Sequence, residues 1–408
     1  MKKNVFLWSL YDFANSIIMI VFLFYFSQWL VVDQGKPDWW YNASLVLSSL
    51  FFIFTAPIVA ERLDATKKKL VGVRLFSLLM VVFYLLTALI TLFAPTLSFL
   101  ATSCFTLALY CYLMSFVYYT PMITDVSTEK NRGWISGLGM GANSLGQVFG
   151  LLATLPFATG AIMTIGASGR AQTLLPAILL FVIFSAPLLL VYKEPVATNP
   201  PPRFNILSEY AKFFSILKKV FSIKNFLLFF IAYLLFTDAL LTFSNNFPIF
   251  LEKVFAATDD VKTYLTAGIL TLSGVGSIFF GKVSDKIGTK RTLFGLLTFW
   301  AVFFPVLAYA PSLGFAGAVC LLAGLFFGPV WGVSRAMVTQ VAPKDAEARS
   351  FAFYTLAERF ATFLGPIVWS TILAATANGD SLGYSYALVG MGGLVIIGLF
   401  FLKQVKLA

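Results

Sequence analysis

The chain has 408 residues, 59% of them hydrophobic and only 12% charged, with 45 phenylalanines and a mean hydropathy of +0.87. Soluble domains carry about a quarter charged residues, so this composition excludes a water-soluble globular protein and specifies a polytopic membrane protein. The formal net charge of +11 needs no nucleic-acid partner, because basic loops gather against anionic lipid; with no histidine, proton chemistry near neutral pH falls to carboxyl groups.

Apolar runs of helical length predict twelve spans, over 5–32, 41–60, 70–93, 97–121, 133–160, 172–192, 225–250, 263–283, 292–310, 313–340, 350–377 and 383–402. The fold class is therefore an all-α membrane protein. Lys2 and Lys3 precede an apolar run that continues past 20 residues with no small-residue cleavage site, which predicts a true first span. Within that run Asp12 lies roughly 10 Å below the helix start at 1.5 Å per residue. Asn15, Ser16 and Met19 follow at i+3, i+4 and i+7 and give Asp12 a polar stripe. An ionised group at that depth faces protein or water, so the stripe is either the start of a transport pathway or a packing contact.

The fourth span carries Tyr110, Met114, Tyr118 and Tyr119 before Pro121, as cavity candidates or interface anchors. The fifth offers Gly133, Gly137, Gly141, Gly146 and Gly150 for close helix approach, with Asn143 and Gln147 one turn apart as weaker substrate contacts. After the sixth span the stiff segment TNPPPR, 198–203, leads into 204–221, where Ile206, Tyr210, Phe213, Leu217 and Val220 share one face opposite Glu209, Lys212 and Lys219. That pattern predicts an interfacial helix tethering two six-helix bundles, 1–193 and 225–408, across a cytoplasmic linker, 194–224. Binding of a partner protein fits the same amphipathic face as the lesser alternative.

The seventh span places Asp238 near the membrane midplane, with Thr242 and Asn245 at i+4 and i+7 and Pro248 beyond. In the tenth, Trp331, Ser334 and Arg335 cluster after Gly328-Pro329, a pair expected to loosen the helix. In the eleventh, Glu358 and Arg359 are adjacent in sequence but about 100° apart around a helix, so they cannot satisfy each other. Arg359 is expected to meet Asp12, another carboxylate or substrate, and Glu358 to meet Arg335; a static ion-pair cluster is the alternative. Cys104, Cys111 and Cys320 fall inside apolar runs and read as small hydrophobes, with no metal and no cofactor implied.

With both termini cytoplasmic, all but five of the 29 Lys and Arg fall on the inner side. The outer loops keep only Lys36, Arg170, Lys253 and Lys262, and Arg359 lies inside a span. The halves also echo each other. Asp64 closes the second span and Asp285 the eighth, 221 residues on, while Arg132 opens the fifth and Arg349 the eleventh, 217 residues on.

Gly281, Asp285, Gly288, Lys290 and Arg291 have the G-x-x-x-D-x-x-G-x-K/R spacing of a cytoplasmic loop motif, which resembles that of the major facilitator superfamily. The first-half copy is degraded, with Ala60 and Lys67 at the glycine positions, while Asp64, Lys68 and Lys69 remain. LYDFANS at 10–16, RGWISGLGMG at 132–141 and GPVWGVSRAMV at 328–338 together look like the vacuole-effluxer-like family. The resemblance implies two pseudo-symmetric six-helix bundles whose first, fourth, seventh and tenth helices line a central site. The loop charges are expected to form charge-assisted caps that hold an inner gate shut, Asp64 reaching the amino end of the eleventh helix near Arg349 and Asp285 that of the fifth near Arg132, with solvated surface charge as the alternative.

The expectation is a secondary transporter in the plasma or inner membrane, exporting a small polar solute such as an amino acid by alternating access. It is taken as monomeric, with protons as the candidate coupling ion through Asp12, Asp238 or Glu358. No G-x-x-x-x-G-K-[ST] segment occurs, so nucleotide is not the driver, and no nucleophile or metal constellation suggests an enzyme. A drug or larger-metabolite exporter of the same fold, and a receptor or scaffold that moves nothing, are the alternatives.

Overall fold

The computed structural model describes residues 2–66, 68–128, 132–193, 222–341, 363–376 and 381–406. The first half consists of α1 (Lys2–Val21, prolonged to Asp33), α2 (Asp38–Thr66), α3 (Lys69–Phe93), α4 (Ser98–Tyr119), α5 (Arg132–Ala158) and α6 (Leu174–Val191). The second consists of α7 (Lys224–Phe255), α8 (Asp259–Ile287), α9 (Thr289–Ala308), α10 (Leu313–Val341), α11 (Leu364–Ala375) and α12 (Ser381–Gln404).

Ten of these helices are long and apolar enough to cross a membrane. The other two, α5 and α11, stand where the fifth and eleventh spans are predicted. In α5 the glycines together with Asn143, Ser144 and Gln147 dilute the apolar character, and α11 is described over 12 residues only. The linker 194–224 lies outside the described residues except for its last three, and its predicted interfacial helix with it.

Past Val21 the first helix widens into π-helical turns over Phe22–Phe26 and Trp29–Asp33. Ser27 Oγ and Gln28 Nε2 donate to the Phe24 carbonyl at 3.0 and 2.7 Å, supplying partners where the i→i+4 ladder is disturbed. Gly35, at φ +61°, makes the turn into α2 that a β-carbon would strain.

The chain packs as two compact units, Met1–Lys36 with Leu47–Phe213, and Pro37–Val46 with Phe214–Ala408. Inside the first, α1 packs on α5 and α6, and α3 on α4 and α6. Inside the second, α7 packs on α11 and α12, and α9 on α10 and α12. Each pairing recurs six helices later, as the repeated Asp and Arg landmarks predict for a duplicated six-helix unit.

The first turns of α2 belong to the second unit through polar contacts. Tyr384 donates to both oxygens of Asp38 at 3.0 and 3.1 Å, and Asn42 and Asn246 exchange hydrogen bonds of 3.3 and 3.0 Å.

Candidate functional site

In the first unit the contact of α1 with α5 rests on glycine. A Cβ on Gly139 would stand 2.7 Å from the Trp8 ring and 3.3 Å from Asp12 Oδ2, and one on Gly150 would stand 3.0 Å from the Ile17 Cα. Gly146 lies directly against the Phe13 carbonyl. Gly137 and Gly141 face open space, so the packing stripe runs through 139, 146 and 150 and not through 137 and 141.

That approach brings Asn143 to Asp12. Its Nδ2 donates to Asp12 Oδ1 at 3.3 Å, and Gln147 Nε2 donates to Asn143 Oδ1 at 2.7 Å, forming a ladder from half-buried α5 positions to a carboxylate only 7% exposed. Among the described residues no basic side chain pairs with Asp12. Asn15 is fully buried, and neither atom of its amide finds a partner among the described residues. Ser16 bonds back to the Asp12 carbonyl at 2.8 Å, so its hydroxyl is committed to its own helix. Above Asp12, Trp8 stacks on Tyr119 at 5.2 Å, and the Tyr119 hydroxyl donates to the Trp8 carbonyl at 2.8 Å. Tyr118 points elsewhere: its ring lies on Gly72 and stacks with Phe76, which commits it to the contact with α3.

In the second unit Asp238 is 2% exposed and its Oδ2 accepts the Gly365 N–H at 2.8 Å, with the Leu364 and Phe363 N–H groups also directed at the carboxylate. Thr242 is buried beside it, against Gly365. Asn245 is half-exposed; its neighbour Asn246 is the buried asparagine, a one-residue difference that rotates the side chain by about 100°.

Trp331 and Arg335 are half-buried, Ser334 is fully buried, and Trp331 meets Phe327 edge-on at 4.7 Å. α10 runs through Pro329 as one continuous helix. Gly328 is a close-packing position, where a Cβ would fall 2.5 Å from Ser273 Oγ of α8.

The inner-loop motif is partly explained. Gly288 adopts φ +92°, which favours glycine, between α8 and α9. Lys290 reaches the end of α12, donating to the Lys403 and Val405 carbonyls at 3.0 and 2.6 Å. That contact is a helix C-cap, and it suits a cation at the negative end of the helix dipole. Asp285 and Arg291 are exposed. In the first half, Lys69 ties α3 to the turn after α4, bonding the Pro121 carbonyl at 3.1 Å, Thr124 at 3.1 Å and Asp125 at 2.7 Å. Glu358, Arg359 and Arg349, and the side chains of Asp64 and Arg132, lie outside the described residues.

Several polar contacts escaped the sequence reading. Besides the α2 contacts with Tyr384 and Asn246, Lys262 is fully buried with Glu252 at 2.5 Å and Asp259 at 2.7 Å, and Arg170 meets Asp33 at 2.6 Å. The i,i+3 spacing of Asp259 and Lys262 was a signal in the sequence; the long-range pairs had none. The three cysteines are free and buried.

Residues 123–407 match the family model described as "Vacuole effluxer Atg22 like". The chain is 27% identical to a protein of Aquifex aeolicus (strain VF5), over 98% of this chain and 96% of that one. It is 20% identical to the MFS-type transporter YxiO of Bacillus subtilis (strain 168), over 96% and 93%. Among solved structures it resembles a bacterial homologue of the human lysosomal transporter Spinster, with a TM-score of 0.74 over 98% of this chain and 95% of that one at 14% identity.

Proposed function

Because the chain belongs to the vacuole effluxer Atg22-like family of major facilitator transporters, and is thus a secondary transporter rather than an enzyme, we propose that it exports a small polar solute of the amino-acid class, coupled to protons through Asp12. The observation that carries this reading is the Asp12–Asn143–Gln147 ladder, a buried carboxylate held by an amide with no cation beside it among the described residues. A carboxylate placed there costs free energy, and such groups within transporter helices serve proton relays and substrate contacts. Asn15 supports a binding role, since its buried amide has no partner among the described residues, and leaving such a group unpaired costs about 1–3 kcal/mol that a polar solute would recover. Thr242, Asn245, Trp331 and Arg335 are the second unit's proposed contributors to substrate contact.

The protein is proposed to act as a monomer in the plasma or inner membrane, with both termini cytoplasmic. Two basic residues assigned to outer loops, Arg170 and Lys262, are each neutralised by acidic partners, which supports an outer surface poor in net positive charge.

Purified protein in proteoliposomes tests the proposal, with efflux of labelled amino acids followed under an imposed pH gradient. Efflux above that of protein-free vesicles, slowed when the gradient is collapsed, is expected. An unchanged rate on collapse removes the proton from the account. A second reading, export of a larger aromatic or drug-like compound, is favoured by the aromatic packing around α9 and α10. There Phe299 stacks on Phe326 at 3.8 Å, and Trp300, Phe327 and Trp331 adjoin. Efflux of a lipophilic dye without amino-acid efflux selects that reading.

A further inference from the structure

The two buried carboxylates differ in what they touch. Asp12 meets a side-chain amide, whereas Asp238 meets main-chain N–H groups of another helix. α11 begins at Leu364, and Phe363 before it, at φ −115° and ψ −57°, is the boundary residue. The first N–H groups of a helix have no partner within it. Here Gly365 N–H is bonded to Asp238 Oδ2 at 2.8 Å, and those of Leu364 and Phe363 point to the same carboxylate.

No residue of the 363–366 segment, Phe-Leu-Gly-Pro, supplies the side-chain oxygen that would ordinarily cap this helix, so the cap comes from α7. The approach is specific: a Cβ at Gly365 would fall 2.8 Å from both the Asp238 carbonyl and Oδ1, and would also run into Thr242. Downstream on the same face Trp369 is fully buried, so a shift of the helix start would drag an indole through packed surroundings.

We propose that Asp238 is a positioning residue that caps the amino end of α11 across the α7–α11 contact and fixes the register of α11 against α7, without itself carrying a proton or binding substrate. Its carboxylate complements three N–H groups at the helix start and the positive end of the helix dipole. The requirement is for an acceptor of the right length, which an amide also provides, since Asn caps helices about as well as Asp. A proton carrier or a partner for a substrate cation has no such tolerance.

Hydrogen–deuterium exchange of detergent-solubilised protein, read on peptides covering 363–366, tests the cap with no substrate present. Asp238→Ala is expected to speed exchange there about tenfold, the size of a lost cap, and Asp238→Asn to stay within about threefold of the parent. Gly365→Ala, with the carboxylate intact, is expected to behave like Asp238→Ala. Proteoliposome efflux of labelled amino acids should follow the same order, kept in Asp238→Asn and lost in the other two. If Asp238→Ala does not fold, Asp238→Asn and Gly365→Ala carry the comparison. The proposal is overturned if Asp238→Asn abolishes efflux while exchange stays protected, or if Asp238→Ala or Gly365→Ala leaves exchange unchanged. Failure of the amino-acid substrate assignment would leave the exchange result standing, so the two are told apart.

Discussion

Replacing Gly146 with alanine is the sharpest test of how the first unit holds Asp12. The added methyl would overlap the Phe13 carbonyl, a backbone atom that no rotamer change can move, so α1 and α5 have to separate. Forcing a methyl into a packed contact costs about 1–3 kcal/mol. At about 2–4 °C per kcal/mol for a unit of this size, the melting temperature should fall by roughly 5 °C. The Asn143–Asp12 bond, already 3.3 Å long, would be lengthened at the same time. The buried free cysteines Cys104, Cys111 and Cys320 provide the assay, because a thiol-reactive dye gains access to them only as the helices come apart. Gly141→Ala on the same helix is the control, since nothing stands within 4 Å of its Cβ position. If Gly146→Ala melts with the parent, or Gly141→Ala melts as low as Gly146→Ala, the assigned rotation of α5 is wrong.

Asn143→Ala removes the only side chain bonded to the Asp12 carboxylate among the described residues and should cut efflux about tenfold while shifting the melting temperature by under 3 °C; a tenfold change is about 1.4 kcal/mol. Parent-like efflux would separate the ladder from transport. Lys262→Met leaves Glu252 and Asp259 without their shared cation and should destabilise by about 3–5 kcal/mol in the same thiol assay; a change under 1 kcal/mol would mean that solvent already screens the cluster. Asn42→Leu alone leaves Asn246 Oδ1 without its donor, while Asn246 Nδ2 keeps the Thr242 carbonyl, and should cost about 1–3 kcal/mol, whereas Asn42→Leu with Asn246→Leu should recover most of it. Equal losses in the single and double variants would refute the pairing.

Helix positions were legible in the sequence because the bilayer forces about 20 apolar residues per crossing, and the runs and the helices agree closely, as at 70–93 and Lys69–Phe93. Asp12 was legible for the complementary reason, a carboxylate standing where apolar residues surround it. What one sequence does not contain is the rotation of a helix about its own axis. Glycines 137 and 141 are spaced by four, yet it is 139, 146 and 150 that meet α1. Asn245 and Asn246 are equally polar, and only packing selects the second as the partner of Asn42.

Long-range polar pairs are hidden for the same reason. Lys290 belongs to a loop motif, but its ammonium is used on carbonyls of a helix more than a hundred residues away. The role of Asp238 depends on where α11 starts, and no local signal at Phe363 marks that boundary. Repetition was easier to read than rotation, since duplicated landmarks needed only an offset.

The central claim is that Asp12 carries the proton that drives export, and Asp12→Asn tests it most directly. The amide keeps the side chain's size and can still meet Asn143, so the fold and solute binding should survive. Parent and variant are compared in proteoliposomes for uphill efflux under a pH gradient and for solute exchange at equal pH. The account predicts exchange near the parent rate and no gradient-driven accumulation in Asp12→Asn. Full gradient-driven accumulation in that variant would contradict it.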